Sequence, residues 1–366
     1  MRLVPPARTT LLAAIAVLST ACSKPDADTS ATTANTMPAP APAAQPMATP
    51  QPRMQAVLDE LAALGGKPIE TLTPAEARKQ PTPTDAVMAL LKKENKPTAP
   101  DPAVGSVDRT IDAGGRPLPA RIYTPKTGAK PFPVVVYYHG GGWVIADRKV
   151  YDGGARAISK LAGAIVISAD YRMGPENKFP AAHDDAIAIY EWAVKNAASL
   201  GGDPKRIALA GESAGGGLAI ATAIAARDKK MQAPLAIVSV YPIGGTDMNT
   251  ASYNENAMAK PLNKAMMGWF FDNYLNGPQD RTDPRVNLVA ANLAGLPPTT
   301  IINAQIDPLR TDGEMLATKL KAAGVQAEQK TYMGVNHEFF GMGAVLPDAV
   351  DAETMAGNAL KRAFGS

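Results

Sequence analysis

Cysteine is almost missing from this chain: of 366 residues, only Cys22 carries a thiol. A lone thiol closes no disulfide within the chain, so no disulfide framework holds it together. Histidine is nearly as scarce, at His139, His183 and His337, and any chemistry needing an imidazole base must choose among these three. An excess of charge is lacking too. Lys+Arg 37 against Asp+Glu 34 leaves +3, with no basic run beyond three residues, which speaks against a nucleic-acid partner. The N-terminal apolar run LLAAIAVLSTA (11–21) is too short to span a bilayer comfortably. What is plentiful is apolar: 46% of residues against 19% charged, enough to bury a sizeable core.

Arg2 and Arg8 precede that apolar run and small residues end it, the layout of a secretory signal over 1–21. Leu18, Ser19, Thr20 and Ala21 before Cys22 resemble the lipobox of a bacterial lipoprotein, with Ser19 where that pattern usually has Leu. The expectation is an exported protein, a periplasmic or outer-membrane-anchored lipoprotein with the lipid on Cys22, or otherwise secreted. Residues 22–52 are mostly Ala, Pro, Thr, Ser and Gln, and read as a disordered spacer. The fold is expected over 53–366.

Within it, Met54, Val57, Leu58, Leu61 and Leu64 fall on one helical stripe stopped by Gly65-Gly66. Thr73-Pro74 opens a second helix, and Asp85 stands at the start of a third. From residue 104 the pattern changes to strands. Residues 104–112 and 119–125 alternate like edge strands. Short unbroken apolar runs follow at 133–139, 164–171, 206–212, 235–242 and 299–307, with a weaker alternating strand at 326–334. Helical stretches at 181–197, after 214 and at 313–324 lie between them. Strands apolar on both faces, alternating with helices, predict an α/β fold with a mostly parallel sheet and helices on both sides. Two segments break the alternation, 53–100 and 244–296. The second carries Met258, Met266, Met267, Trp269, Phe270 and Phe271. The two are expected to pack together as a cap over an adaptable apolar pocket.

Gly211-Glu212-Ser213-Ala214-Gly215 follows one strand and opens a helix of small residues. G-x-S-x-G between strand and helix is a nucleophile elbow: the turn is sharp, and a Cβ at either glycine would strike backbone. Taken alone, the pentapeptide reads equally as a close-packed turn with an inert serine. A serine hydroxyl needs a base. In the chain order serine, acid, histidine, only His337 follows Ser213. His183 reads as a partly exposed helical histidine beside Asp184 and Asp185. Asp307 ends the 299–307 strand, where a carboxylate meets a histidine ring from the sheet edge. Asp312 reads as the cap of the helix it precedes. The triple glycine Gly140-Gly141-Gly142 after His139 reads as a phosphate cradle, a bare turn or a set of oxyanion donors. No Lys-Ser/Thr follows it and no ribose-binding acid is placed for a dinucleotide, which disfavours phosphate.

Five motifs in order then carry a resemblance: His139-Gly140-Gly141-Gly142, Asp170-Tyr171-Arg172-Met173-Gly174-Pro175-Glu176, Gly211-Glu212-Ser213-Ala214-Gly215, Asp307-Pro308-Leu309-Arg310 and His337-Glu338-Phe339. Over about 53–364 the chain resembles the bacterial branch of the hormone-sensitive-lipase family of carboxylesterases. The resemblance implies an α/β-hydrolase fold, a mostly parallel eight-stranded sheet with a helical cap. It implies hydrolysis of short- to medium-chain esters through an acyl-enzyme, without metal or organic cofactor. Ser213 is then the nucleophile, His337 the base and Asp307 the orienting carboxylate, with the N–H groups of Gly141, Gly142 and Ala214 as oxyanion donors. His139 holds the glycine loop. Tyr171, Arg172 and Glu176 form a structural network beneath the site, and Glu212 stands where Asp is more usual. Two alternatives stay open: an amidase or peptidase with the same triad, and a non-catalytic binding protein. Plant gibberellin receptors resemble the family but lack its catalytic histidine, which is present here. The partners expected are a small ester, the membrane through Cys22, and a second copy through an edge strand.

Overall fold

The computed structural model describes residues 46–365. Cys22, the signal-like segment 1–21 and most of the spacer 22–52 lie outside the described residues. The strands are β1 (Val104–Asp112), β2 (Pro117–Pro125), β3 (Phe132–Tyr138), β4 (Ile165–Ala169), β5 (Gly202–Glu212), β6 (Ile237–Val240), β7 (Thr299–Ile306) and β8 (Ala327–Asn336). The helices are α1 (Pro52–Ala63), α2 (Pro74–Ala77), α3 (Pro83–Lys93), α4 (Asp152–Ala162), α5 (Ala181–Asn196), α6 (Ala214–Asp228), α7 (Ala251–Glu255), α8 (Lys264–Tyr274), α9 (Arg310–Ala322) and α10 (Pro347–Phe364). The strands form one sheet in the order β1-β2-β4-β3-β5-β6-β7-β8. Both pairings of β2 are antiparallel, and every pairing from β4 to β8 is parallel.

The unbroken apolar runs follow from burial on two faces. Every residue of β3 is buried. Val134, Val136 and Tyr138 join the core with residues of α5, α6 and α9, whereas Val135 and Tyr137 join the core with α4 and α10. Successive side chains of a strand point to opposite faces, so a strand covered on both sides must be apolar at every position. Because the inner strands are parallel, the carboxyl ends of β3, β5, β7 and β8 share one edge. That is the edge where open α/β sheets carry their sites.

The N-terminal helices do not stand apart from the sheet. Met54, Val57, Ala86 and Leu90 belong to the same core as Val135 and Tyr137. Several local expectations shift. Helix α1 ends at Ala63, which leaves Leu64 41% exposed and off the buried stripe. The cap of α3 is Thr82, not Asp85. Pro83 follows it, and Asp85 closes a capping box from the third helical position. Strand β6 stops at Val240 because Tyr241 turns to a φ of +33°, so residues 241–245 leave the sheet toward the elbow. The segments 53–100 and 244–296 touch directly. Trp269 Nε1 donates to the Leu72 carbonyl at 3.0 Å, and Asn263 Nδ2 to Glu70 Oε1 at 2.9 Å. Met258, by contrast, is 80% exposed rather than packed between them. Among the described residues no helix is long and apolar enough to cross a membrane.

Candidate active site

Ser213 sits between β5 and α6 with φ +56° and ψ −119°, a conformation costly for any residue with a Cβ. The surroundings impose it. Ser213 N–H donates to the Val240 carbonyl at 2.9 Å, and the Ser213 carbonyl accepts from Ile243 N–H at 3.2 Å. A Cβ at Gly211 would strike the Gly215 carbonyl, and one at Gly215 the carbonyls of Tyr138 and His139. Both glycines are therefore demanded by backbone packed on backbone.

His337 follows β8 and brings its Nε2 to 3.0 Å from Ser213 Oγ. Its Nδ1 lies 2.7 Å from Asp307 Oδ2, and the other carboxylate oxygen of Asp307 accepts from Leu309 N–H at 2.8 Å. All three side chains are buried. Burial alone would lower the His337 pKa, but the charge and hydrogen bond of Asp307 outweigh it, and the imidazole is raised above its ordinary value. The ring also packs on Tyr241, with centroids 4.4 Å apart. Asp312 does not cap its own helix. It lies inside α9, fully buried, with one carboxylate oxygen accepting from Gly244 N–H at 3.1 Å and Gly245 N–H at 3.0 Å. Burial pushes it up to about 7.

The glycine loop leaves β3 beside the elbow. Gly141 (φ +96°) and Gly142 (φ +58°) are left-handed, and a Cβ would enter the Ile145 carbonyl at the first and the Phe270 ring at the second. The N–H groups of Gly141 and Gly142 meet no acceptor among the described residues. Ala214 N–H is the first of α6 and has no partner within its helix. His139 is buried under the loop, its Nδ1 2.8 Å from the Gly140 carbonyl and its ring stacked on Tyr171 at 4.3 Å. The Tyr171 hydroxyl donates to the His139 carbonyl at 2.9 Å.

Two other expectations change. His183 is not partly exposed but buried, boxed by Trp143, Phe179 and Tyr274. Its Nδ1 lies 2.8 Å from the Tyr274 hydroxyl, and burial, helped by Arg285, pushes its pKa down to about 3. Tyr171, Arg172 and Glu176 do not form one network. Arg172 pairs with buried Asp185, whereas Glu176 pairs with Arg78 from the C-terminal end of α2, nearer the surface.

A cavity of about 650 Å³ opens onto Ser213 and His337. Leu58, Leu61 and Ile69 wall it from the segment before the sheet, and Leu262, Met266 and Phe270 from the later insertion. Four contributors had no individual signal in the sequence. Ser252 Oγ donates to the Pro308 carbonyl at 2.6 Å, and Asn256 Nδ2 to the Asp307 carbonyl at 3.2 Å. Tyr151 donates to Glu338 at 2.6 Å. Glu338 itself stands in the histidine motif, yet nothing local marks it for a role. Glu212 accepts from the hydroxyls of Tyr137 and Tyr241, and burial, then the neighbouring Glu338, hold its carboxyl well above the usual range. Among the described residues no group of three or more His, Cys, Asp or Glu is arranged to hold a metal ion.

The sheet order, the elbow at the end of β5 and the loops at the ends of β3, β7 and β8 define an α/β hydrolase. A family model described as the alpha/beta hydrolase fold matches residues 135–341. The chain is 38% identical over 285 residues to the carboxylesterase NlhH of Mycobacterium tuberculosis, covering 76% of this chain and 89% of that one. It is 32% identical over 303 residues to an ethyl acetate hydrolase of Pseudomonas putida, covering 81% and 92%. Among solved structures, a hyperthermophilic esterase of Pyrobaculum calidifontis superposes with a TM-score of 0.76 at 35% identity, covering 86% of this chain and 99% of that one. The chain belongs to the hormone-sensitive-lipase-like carboxylesterases of the α/β-hydrolase superfamily.

Proposed function

We propose that the chain is a serine carboxylesterase in which Ser213 attacks, His337 transfers the proton and Asp307 orients the ring. The observation that carries this is the buried line from Ser213 Oγ to His337 Nε2 at 3.0 Å and from His337 Nδ1 to Asp307 Oδ2 at 2.7 Å. Asp307 holds the Nδ1–H tautomer, leaving Nε2 free to accept the serine proton. As Ser213 Oγ bonds to the ester carbon, the carbonyl oxygen becomes an oxyanion before the N–H groups of Gly141, Gly142 and Ala214. One such donor typically contributes about 3–4 kcal/mol to lowering the barrier. The proton on Nε2 then passes to the leaving alcohol, and water repeats the sequence to release the acid. The chain is a carboxylic ester hydrolase, as the names of its relatives indicate.

An apolar cavity of this size suits short- to medium-chain acyl groups. Turnover is expected with p-nitrophenyl butyrate and almost none with long-chain triglycerides. A fluorophosphonate should label Ser213 alone, as read by peptide mass spectrometry. Labelling elsewhere, or an unchanged rate in Ser213→Ala, would refute the assignment.

The same reading extends to where and how the enzyme works. It is exported, with 1–21 as the signal, Cys22 lipidated and 22–52 as a spacer from the membrane; the residue pattern of 1–22 supports this. Cys22→Ser should release the protein from membranes, and unchanged partition would count against it. A homodimer through an edge strand completes the proposal, since β8 ends the sheet with Met333 63% exposed. A single-copy mass by light scattering would refute that part.

A further inference from the structure

Behind the substrate cavity lies a second, smaller chamber of about 50 Å³, reaching Glu212, Gly154 and Thr84. That is room for a few water molecules. Pro83, Val150, Tyr151 and Glu338 border both spaces, and only the last two bring polar side chains to the shared wall. The Tyr151 hydroxyl donates to Glu338 at 2.6 Å and lies against Gly140, where a Cβ would strike it. Tyr151 is therefore wedged between the glycine loop and the Glu338 carboxylate.

Glu338 is held in an unusual way. Its φ is +72°, a region that residues with a Cβ enter only when the surroundings require it. In that conformation its Oε1 lies 3.7 Å from His337 Nε2. This is too long for a direct hydrogen bond, and it lets one water oxygen reach both atoms at hydrogen-bonding distance. Nε2 is also the nitrogen that faces Ser213 Oγ. Whether charged or protonated, the carboxyl group keeps an acceptor oxygen.

We infer that Glu338 is a catalytic residue of deacylation, holding with His337 Nε2 the hydrolytic water that enters from the small chamber. This rests on the carboxylesterase reading above. The water oxygen bonds to the acyl carbon on Ser213 while one of its protons passes to Nε2. The second O–H donates to Glu338, which takes no proton. The intermediate collapses by breaking the bond from acyl carbon to Ser213 Oγ, and the proton on Nε2 passes to Oγ. The carboxylic acid and free enzyme remain. Acylation consumes no water, so this water-holding role of Glu338 belongs to one half of the cycle only.

Stopped-flow hydrolysis of p-nitrophenyl butyrate separates the halves. In Glu338→Leu the release of the first equivalent of nitrophenol is expected to change far less than the steady state, which slows roughly 10- to 100-fold, the scale of one lost hydrogen bond to the reacting water. Intact mass should then find the butyryl group accumulated on Ser213. Glu338→Gln keeps an acceptor oxygen and should deacylate faster than Glu338→Leu. The inference is overturned if burst and steady state slow together, if Glu338→Leu behaves as wild type, or if Gln is no better than Leu. Hydrolysis that survives Ser213→Ala would instead overturn the carboxylesterase reading, and this inference with it.

Discussion

A methyl group on Gly142 would have to enter the Phe270 ring, and a φ of +58° already disfavours any side chain there. Gly142→Ala is expected to lower kcat by about 10²–10³, the scale of one lost oxyanion donor, measured on a soluble p-nitrophenyl ester. His337 gives a second expectation at this scale. Burial opposes its protonation, but Asp307 wins and raises the pKa. As the proposed base it must be neutral, so activity is expected to fall as pH drops through that raised value. The acid limb of kcat/KM should thus lie above the roughly 6.5 of a free imidazole. In Asp307→Asn burial is opposed only by the weaker charge of Glu338, and the residual activity should show a limb moved to lower pH. Ser213, Asp307 and His337 were legible because each belongs to a motif tied to the end of a strand. His183 was misread because its environment is made by Trp143, Phe179 and Tyr274, of which Trp143 and Tyr274 lie far away in sequence.

Asp312 shows how one element can be held by another. Its carboxylate gathers the N–H groups of Gly244 and Gly245, and that strand exit reaches the elbow through Ile243 N–H on the Ser213 carbonyl. Asp312→Leu would leave two buried donors unpaired, a loss of about 2–4 kcal/mol, measurable as a lower urea midpoint. Asp312→Asn retains an acceptor oxygen and should lose much less. From sequence the residue had the spacing of a cap, because the donors it finds at 244–245 are separated from it by the whole of the intervening insertion. The insertion is itself tied at both ends of its work. Trp269 bonds across to Leu72, and Ser252 and Asn256 bond to the Asp307 loop. Trp269→Ala should raise KM for butyrate esters more than it lowers kcat, since it loosens the pocket wall and touches neither Ser213 nor His337.

Over the whole molecule, buried acids set how stability follows pH. Asp312 and Glu353 are each pushed up to about 7 by burial, and Glu212 is held well above the usual carboxylate range by burial and Glu338. A carboxyl whose pKa is higher folded than unfolded binds its proton more tightly in the native state. Its contribution is complete below about pH 4 and is lost as pH rises toward 7. Exposed pairs such as Glu176 with Arg78, where the carboxyl is held down to about 2 by the arginine, work in the opposite sense at low pH and are weak. His183, held down to about 3, works against this by gaining stability as pH rises toward about 6.5, but the three raised carboxyls outnumber it. Urea unfolding should therefore show stability declining between about pH 5 and 7, and Asp312→Asn should flatten that decline. The sequence by itself determined the alternation of strands and helices, the elbow, the chain order of Ser213, Asp307 and His337 and the two segments that interrupt the sheet. Those are local: hydrophobic period, turn chemistry and chain order decide them. Only the tertiary structure decided that His183 and Asp312 are buried, that Met258 is not, and that Glu338 faces both His337 and a chamber behind it. These depend on which distant surfaces meet, because burial and charge pairing are set by neighbours in space rather than in sequence.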